Sequence, residues 1–547
     1  MAKKVRGEKA EELYGTVRDI LAGRARKPII LKDSGEGETL KTYKIGNVII
    51  RIATEGGEGL YYVDEPELTP REELLYAYTL QKLMYELKPE DYQRVGEIIE
   101  KMISDSVKTL NLEGKVNINN IKYYINREIF EFGPLSAFIQ DDKLEDIKCV
   151  GVKQPVIVVH REYGKLGWLK SNLQFDEEFL ADFVRRIALK GGRGISTAIP
   201  YVDCQLTGIK IKDEKGREKT ISMRFAGTIG REITKFSSSF VIRKFPENPL
   251  SLAELVASNM LSSLMAAYLW FVAENKRIFF VAGPTGSGKT TLLNAILGVL
   301  DERLSYITIE DVFELQLPFF RWTAMTTRRS WTVVESKYEV KLEDLIAMAM
   351  RMRPDYLIVG EVRTPEQLIA LLLSATTGHG AMTSIHAQDP QALLVRLMTM
   401  KIERSALDLL WGCAITQPVK VEGGEMSITR RVTSIAEFAP ASQEGVRGGI
   451  EIATVFKWDP TSDTFKPDNL DELWYVSPRL KMISETLGIS KDKILGDIEE
   501  KKAFLEEHKG KKFDMITAEA RRIYSAKVER FLKLREGERE KRVVEAG

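Results

Sequence analysis

Cysteine is scarce in this chain: three in 547 residues, Cys149, Cys204 and Cys413, far apart and with no CxxC pair. That excludes a disulfide framework and argues against a zinc site, and it fits a reducing compartment. Histidine numbers only four. An excess of charge is also missing, because 80 Lys and Arg against 79 Asp and Glu leave a net charge of +1. Bulk attraction to nucleic acid is therefore not expected, although local patches remain open. No run reaches the roughly 18 apolar residues that a membrane-spanning helix requires. The best candidate, Met260 to Ala273, is interrupted by Ser262 and Ser263 and stops at Glu274, which makes it a core helix. The opening MAKKVRGEKAEELYG is basic without an apolar stretch, so an ordinary signal peptide is not expected. Internal repeats and low-complexity segments are absent as well.

A chain of this length exceeds one core, so two to four domains are expected. Residues 1–27 carry eight Lys and Arg against four Asp and Glu and read as a solvated basic segment. From Thr42 to Val63 the pattern is β-like, and charged helical stretches follow from Arg71 to about Leu110 and across KYYINREIF. Between Leu144 and Phe245 the pattern is α+β, ending in the strand SSFVIRKF. Pro246, Asn248 and Pro249 then stop all periodicity and read as a linker. Beyond Leu252 strands alternate with helices: IFFVAG, SYITIED, DYLIVGEV, GAMTSIHA. Such alternation implies βαβ units and a parallel sheet, with ligands bound at the carboxyl ends of its strands. FRWTAMTTRRSWTVVESKY, residues 320–338, breaks the rhythm and reads as an inserted hairpin. A charged helix from about Thr517 to Glu545 closes the chain.

The most informative stretch is RIFFVAGPTGSGKTT, residues 277–291, a buried strand, a glycine-rich loop and the first turn of a helix. It meets GxxxxGK[ST] with Gly283, Gly288, Lys289 and Thr290, enclosing Pro284, Thr285, Gly286 and Ser287 and continuing into Thr291. The glycines let backbone N–H groups converge on phosphate oxygens, and the helix start adds partial positive charge. Lys289 supplies a full charge for the β- and γ-phosphates of ATP, and the Thr290 hydroxyl suits Mg²⁺. Hydrolysis needs carboxylates as well. ITIED ends a strand in Glu310 and Asp311, and DYLIVGEVR ends another in Glu361. In a parallel sheet both ends lie beside the phosphate loop, where an acid can hold a metal-bound water or orient the attacking one. The alternative reading of Glu310 and Asp311 is a pair of ordinary strand-end acids. Two of the four histidines, His379 and His386, fall within TGHGAMTSIHA, either as core and turn residues or as sensors of a γ-phosphate.

Four blocks in this order, GPTGSGKTT, ITIED, RMRPDYLIVGEVR and TGHGAMTSIHA, resemble the Walker A, aspartate, Walker B and histidine boxes of the type II/type IV secretion ATPase superfamily. YYVDEPELTP, FGPLSAF, LEDIKCVGV, VIVVHREYG and SFVIRKF are similar to its archaeal pilus and archaellum assembly branch, so the likeness spans roughly residues 40–465. The resemblance implies an α/β protein: a C-terminal RecA-like P-loop ATPase domain with a parallel-rich sheet, preceded by an α+β N-terminal domain. The expected divisions are 1–41, a basic segment; 42–245, the N-terminal domain; 246–251, a linker; 252–440, the ATPase core; and 441–547, a mixed and helical region.

It further implies a Mg²⁺-dependent ATPase with Glu361 as the catalytic acid, assisted by Glu310. Thr290, Asp311 and Glu361 would serve the metal, and His379 and His386 would couple the site to movement. Family members are hexamers in which arginines from the N-terminal domain or a neighbour complete the site. Where relatives commonly show D-x-R, Asp203, Cys204 and Gln205 stand here, so that arginine is missing. Among Arg217, Arg224, Arg231 and Arg243, Arg217 and Arg243 are the candidates carried forward; Arg351, Arg353 and Arg363 flank the Walker B strand. The implied partners are a second copy in a homo-hexamer, a polytopic membrane platform protein and, indirectly, pilin-like subunits. The implied location is the cytoplasm, peripheral to the inner face of the membrane. A nucleic-acid translocase of the conjugation type is the alternative, with balanced charge against it, and a non-hydrolysing nucleotide-binding scaffold is a third reading.

Overall fold

The computed structural model describes residues 29–30, 37–86, 94–212, 216–245, 249–328, 339–375, 378–402, 404–421, 427–440 and 450–528. Most of the basic N-terminal segment, part of the proline-rich linker, the second half of the expected hairpin and the end of the charged C-terminal helix lie outside these residues. The chain divides into two compact units, 1–247 and 248–547.

The first unit is built on a mixed sheet. Its strands are β1 (Ile29–Ile30), β2 (Glu38–Ile45), β3 (Val48–Glu55), β4 (Glu58–Asp64), β5 (Leu144–Cys149), β6 (Pro155–His160), β7 (Leu169–Gln174), β8 (Tyr201–Lys212), β9 (Glu218–Thr228) and β10 (Ser239–Phe245). They lie in the order β2-β3-β4-β7-β6-β5-β10-β9-β8, with β1 on β7. Three helices, α1 (Pro70–Glu86), α2 (Val95–Thr109) and α3 (Ile118–Ile129), form a satellite cluster around Leu75, Leu83, Ile103, Ile121 and Ile125. Asp176 caps the next helix, α4 (Glu177–Lys190), by accepting the Phe179 N–H at 2.8 Å. Its apolar side, Leu180, Phe183, Val184 and Ile187, packs with Phe225 and Phe240 of the sheet.

The second unit carries a nine-stranded sheet: β11 (Ile278–Ala282), β12 (Tyr306–Glu310), β13 (Trp322–Thr326), β14 (Tyr356–Glu361), β15 (Gly380–Ile385), β16 (Leu410–Val421), β17 (Ser427–Pro440), β18 (Ile450–Asp459) and β19 (Thr464–Lys466), in the order β13-β12-β14-β15-β11-β16-β17-β18-β19. From β13 to β16 every pairing is parallel, and from β16 to β19 every pairing is antiparallel. The parallel strands read as continuous apolar runs because both faces are covered. On β11, Phe279 and Val281 enter one core, while Ile278, Phe280 and Ala282 enter the other. Met260 to Ala273 behaves as a core helix should: α5 (Ser263–Glu274) buries every residue from Leu264 to Ala273.

Within the expected insertion, residues 322–326 form β13, a parallel edge strand in register with β12, Tyr306 opposite Trp322, and Arg328 then pairs antiparallel with Val340. The β-branched and aromatic residues Trp322 and Thr323 pair across the sheet, and Trp322 Nε1 donates to Thr308 Oγ1 at 2.9 Å. The stretch after Pro440 is not a separate body, since β18 pairs with β17 and Val455, Phe456, Ile494, Ile498 and Tyr524 share one core with Leu264 to Ala273.

Candidate nucleotide site

The phosphate loop joins β11 to α6 (Lys289–Leu297) at the carboxyl end of the parallel sheet. Gly283 admits no side chain, because a Cβ there would lie 2.2 Å from the Thr416 carbonyl oxygen. Gly288 holds φ at 94°, the left-handed region that starts the helix here. Lys289 Nζ donates to the carbonyls of Gly283 and Pro284, both at 3.0 Å, so its charge sits over the front of the loop. Burial pulls the ammonium below the ordinary lysine range, against the Glu361 and Glu314 carboxylates that hold it up.

Around this loop the strand ends converge. Glu361, closing β14, has Oε1 within 2.6 Å of His386 Nε2 and accepts Arg363 Nη2 on Oε2 at 2.6 Å. His386 follows the end of β15, and its Nδ1 lies 3.4 Å from Lys289 Nζ. Arg363 Nη1 reaches Asp311 Oδ2 at 3.0 Å, so Lys289, His386, Glu361, Arg363 and Asp311 form one chain of contacts. The Thr290 hydroxyl donates to Glu314 Oε2 at 3.0 Å. A hydroxyl and a carboxylate side by side next to a phosphate loop are hard oxygen donors, the set that suits Mg²⁺. The residues present therefore fit the metal, which Thr290 and Glu314 would hold.

Comparison with known proteins gives the family. Residues 215–428 match the family model described as Type II/IV secretion system protein. An uncharacterized protein of Methanocaldococcus jannaschii is 30% identical over 450 residues, 77% of this chain and 77% of the relative. The chain belongs to the type II/IV secretion system protein family. A putative conjugal transfer protein of Mycobacterium tuberculosis is 31% identical over 301 residues, 54% of this chain and 80% of the relative. Among solved structures, the Legionella pneumophila ATPase DotB aligns at a TM-score of 0.38 and 16% identity, covering 66% of this chain and 84% of that one.

Within this family member several expected site residues stand elsewhere. Glu310 is 3% exposed, and its Oε1 accepts the backbone N–H groups of Glu314 and Leu315, each at 3.0 Å. Burial pushes its carboxyl up to about 8 despite those two donors. Its place is beneath the turn that follows β12, where Gly360 leaves room for it: a Cβ there would meet Glu310 Cγ at 2.9 Å. Asp311 is also engaged, accepting Thr327 Oγ1 at 2.9 Å and Arg363 Nη1 at 3.0 Å. The acid that meets the Thr290 hydroxyl is Glu314, which the sequence reading passed over. Its signal was present as a third acid in ITIEDVFE, four residues after Glu310.

His379 precedes the amino end of β15, seven residues from His386, so strand length alone places it about 20 Å from the loop. Its Nδ1 lies 3.3 Å from the Ser374 carbonyl. Arg351 and Arg353 likewise precede β14 at its amino end, leaving Arg363 as the Walker B arginine at the site. Arg217 and Arg243 belong to the first unit, where Arg243 Nε pairs with Asp146 Oδ1 at 2.9 Å. Gln205 sits directly across the β8–β9 ladder from Arg224, which grips Asp203 through Nε at 2.9 Å and Nη2 at 2.6 Å. A guanidinium thus accompanies Asp203 from the neighbouring strand.

Proposed function

We propose that this chain is an ATP-hydrolysing motor that works as a homo-hexamer on a polytopic membrane platform protein, driving assembly or secretion of pilin-like subunits. The observation that carries the hydrolytic part is the convergence of Lys289, Thr290, Glu314, Glu361 and His386 on one loop at the strand ends. Bound Mg²⁺ would supply charge neutralisation across the β- and γ-phosphates. Lys289 offsets phosphate charge on the protein side. Thr290 and Glu314 would hold the ion through their hard oxygens, and Glu361 aligns the attacking water when His386 and Arg363 turn to the γ-phosphate. The filament, the hexamer and a place at the inner membrane face rest on the family resemblance.

Phosphate release in Mg²⁺-ATP, measured against protein concentration for the wild type and Glu361→Gln, tests the reading. Specific activity that rises with concentration, with a variant that binds ATP but barely turns over, supports a motor with shared sites. Flat activity per chain removes the shared site, and an unimpaired variant removes Glu361 as the acid. The conjugal transfer relatives favour a second reading, a nucleic-acid translocase. Hydrolysis stimulated by DNA and steeply weakened by salt would establish it.

A further inference from the structure

Beyond the four boxes, a strand remote in sequence reaches the phosphate loop. β17 carries Arg430, two residues past the stretch matched by the family model, and its Nε donates to the Gly286 carbonyl at 2.9 Å. A Cβ on Gly288 would lie 3.5 Å from Arg430 Cδ, so the side chain runs along the rear of the loop. Two register positions away, Thr416 of β16 pairs its hydroxyl with Ser287 Oγ at 2.8 Å and donates to Ala282 O at 3.2 Å. The β16–β17 hairpin therefore braces the loop at two points, with Pro418 opposite Arg430 and Thr416 opposite Val432.

The two cations divide the loop between them. Lys289 holds the carbonyls of Gly283 and Pro284 at its front, and Arg430 holds that of Gly286 behind. Arg430 spends only Nε there; it is exposed, and its two terminal nitrogens have no partner among the described residues. Strand order then decides which part of a nucleotide it can serve. The acids and His386 that face a γ-phosphate follow β12, β14 and β15, on one side of β11, whereas Arg430 comes from the other side, beyond β16. We infer that Arg430 is a nucleotide-binding residue that holds the loop through Nε and grips the α,β-diphosphate through its terminal nitrogens, the part that ATP and ADP share. This deepens the ATPase reading and rests on it.

A contact made equally in ground and transition states changes binding but not turnover. The test compares wild type, Arg430→Ala, Arg430→Lys and Lys289→Ala as full chains. It reads dissociation constants for ADP, ATP and inorganic pyrophosphate, the KM and kcat for ATP, and the unfolding midpoint without nucleotide. Arg430→Ala is expected to raise all three dissociation constants and KM by the same factor, about tenfold. Its kcat should fall by less than that factor, because a uniform contact leaves the barrier from the bound state alone, and its midpoint should drop slightly with the loss of the Gly286 brace. Arg430→Lys, which keeps the charge and loses the planar fork, should recover part of the loss. Unchanged constants, a loss confined to ATP, or a fall in kcat alone would overturn the proposal. A loss for ADP but not pyrophosphate would also overturn it, because the contact would then be to the nucleoside. If Arg430→Ala does not fold, the lysine variant decides by the same criteria. Failure of the ATPase reading looks different: the wild type would bind ADP no better than Lys289→Ala.

Discussion

The Thr290 hydroxyl meets Glu314 Oε2 at 3.0 Å, although the two residues lie on different elements 24 positions apart. Glu310 and Asn294 create that meeting from below. Glu310 Oε1 takes the N–H groups of Glu314 and Leu315, and Asn294 Oδ1, one turn along α6 from Thr290, takes that of Gln316 at 2.8 Å. Glu314→Gln should therefore lower kcat by about a hundredfold or more while leaving ADP binding within about threefold, and Asp311→Asn should cost less than about tenfold. Steady-state phosphate release beside ADP titration checks both, and equal losses for the two variants would return the metal role to Asp311.

Arg363 holds Glu361 on Oε2, and His386 Nε2 lies 2.6 Å from Oε1. Replacing His386 by Ala frees one oxygen without removing the acid. Its kcat should fall by about tenfold to a hundredfold, less than the loss in Glu361→Gln, because only the positioning of the acid and the γ-phosphate is disturbed. Single-turnover kinetics separate this from binding; a His386→Ala variant with full turnover contradicts it.

Gly283→Ala places a Cβ 2.2 Å from the Thr416 carbonyl, a backbone atom that cannot swing aside. β11 and β16 must separate or the loop must rotate, and either moves the Gly283 and Pro284 carbonyls that hold Lys289. A stability loss of about 1–3 kcal/mol and a loss of ADP binding are expected together. Gly286→Ala, with open space around it but φ at 74°, should lose about 1 kcal/mol or so. Thermal unfolding of both variants, with and without ADP, is the check.

In the first unit, Lys244 is buried, its ammonium donating to the carbonyls of Asp141 and Phe138. Burial pulls it down to about 8, with Asp141 and Asp142 opposing. Between about 8 and the ordinary lysine value the unfolded chain holds a proton that the folded chain has released, so this group makes stability rise with pH across that window. Below it both forms are protonated and the contribution is flat. The unfolding midpoint of the wild type minus that of Lys244→Met should therefore increase from about pH 8 to about pH 10 and level off below. A difference that does not vary with pH would refute the shift.

Local chemistry made part of this protein readable in one dimension. A strand, a glycine loop and a helix start are contiguous, so residues 278–291 announce their conformation. Apolar runs such as IFFVA and YLIV declare strands covered on both faces, and Glu361 follows one of them by adjacency alone. Tertiary structure decided what adjacency cannot. Glu310, Asp311 and Glu314 are equivalent acids in sequence; the turn after β12 buries the first, ties the second to Arg363 and delivers the third to Thr290. His379 and His386 share one short stretch, yet an extended strand carries them to opposite ends of the sheet. The edge strand β13 is exposed and weakly patterned, so its place followed from pairing with β12. Arg430 reaches Gly286 across 144 positions because β16 lies beside β11 and β17 beside β16, an order set by long-range hydrogen bonding that no local pattern encodes.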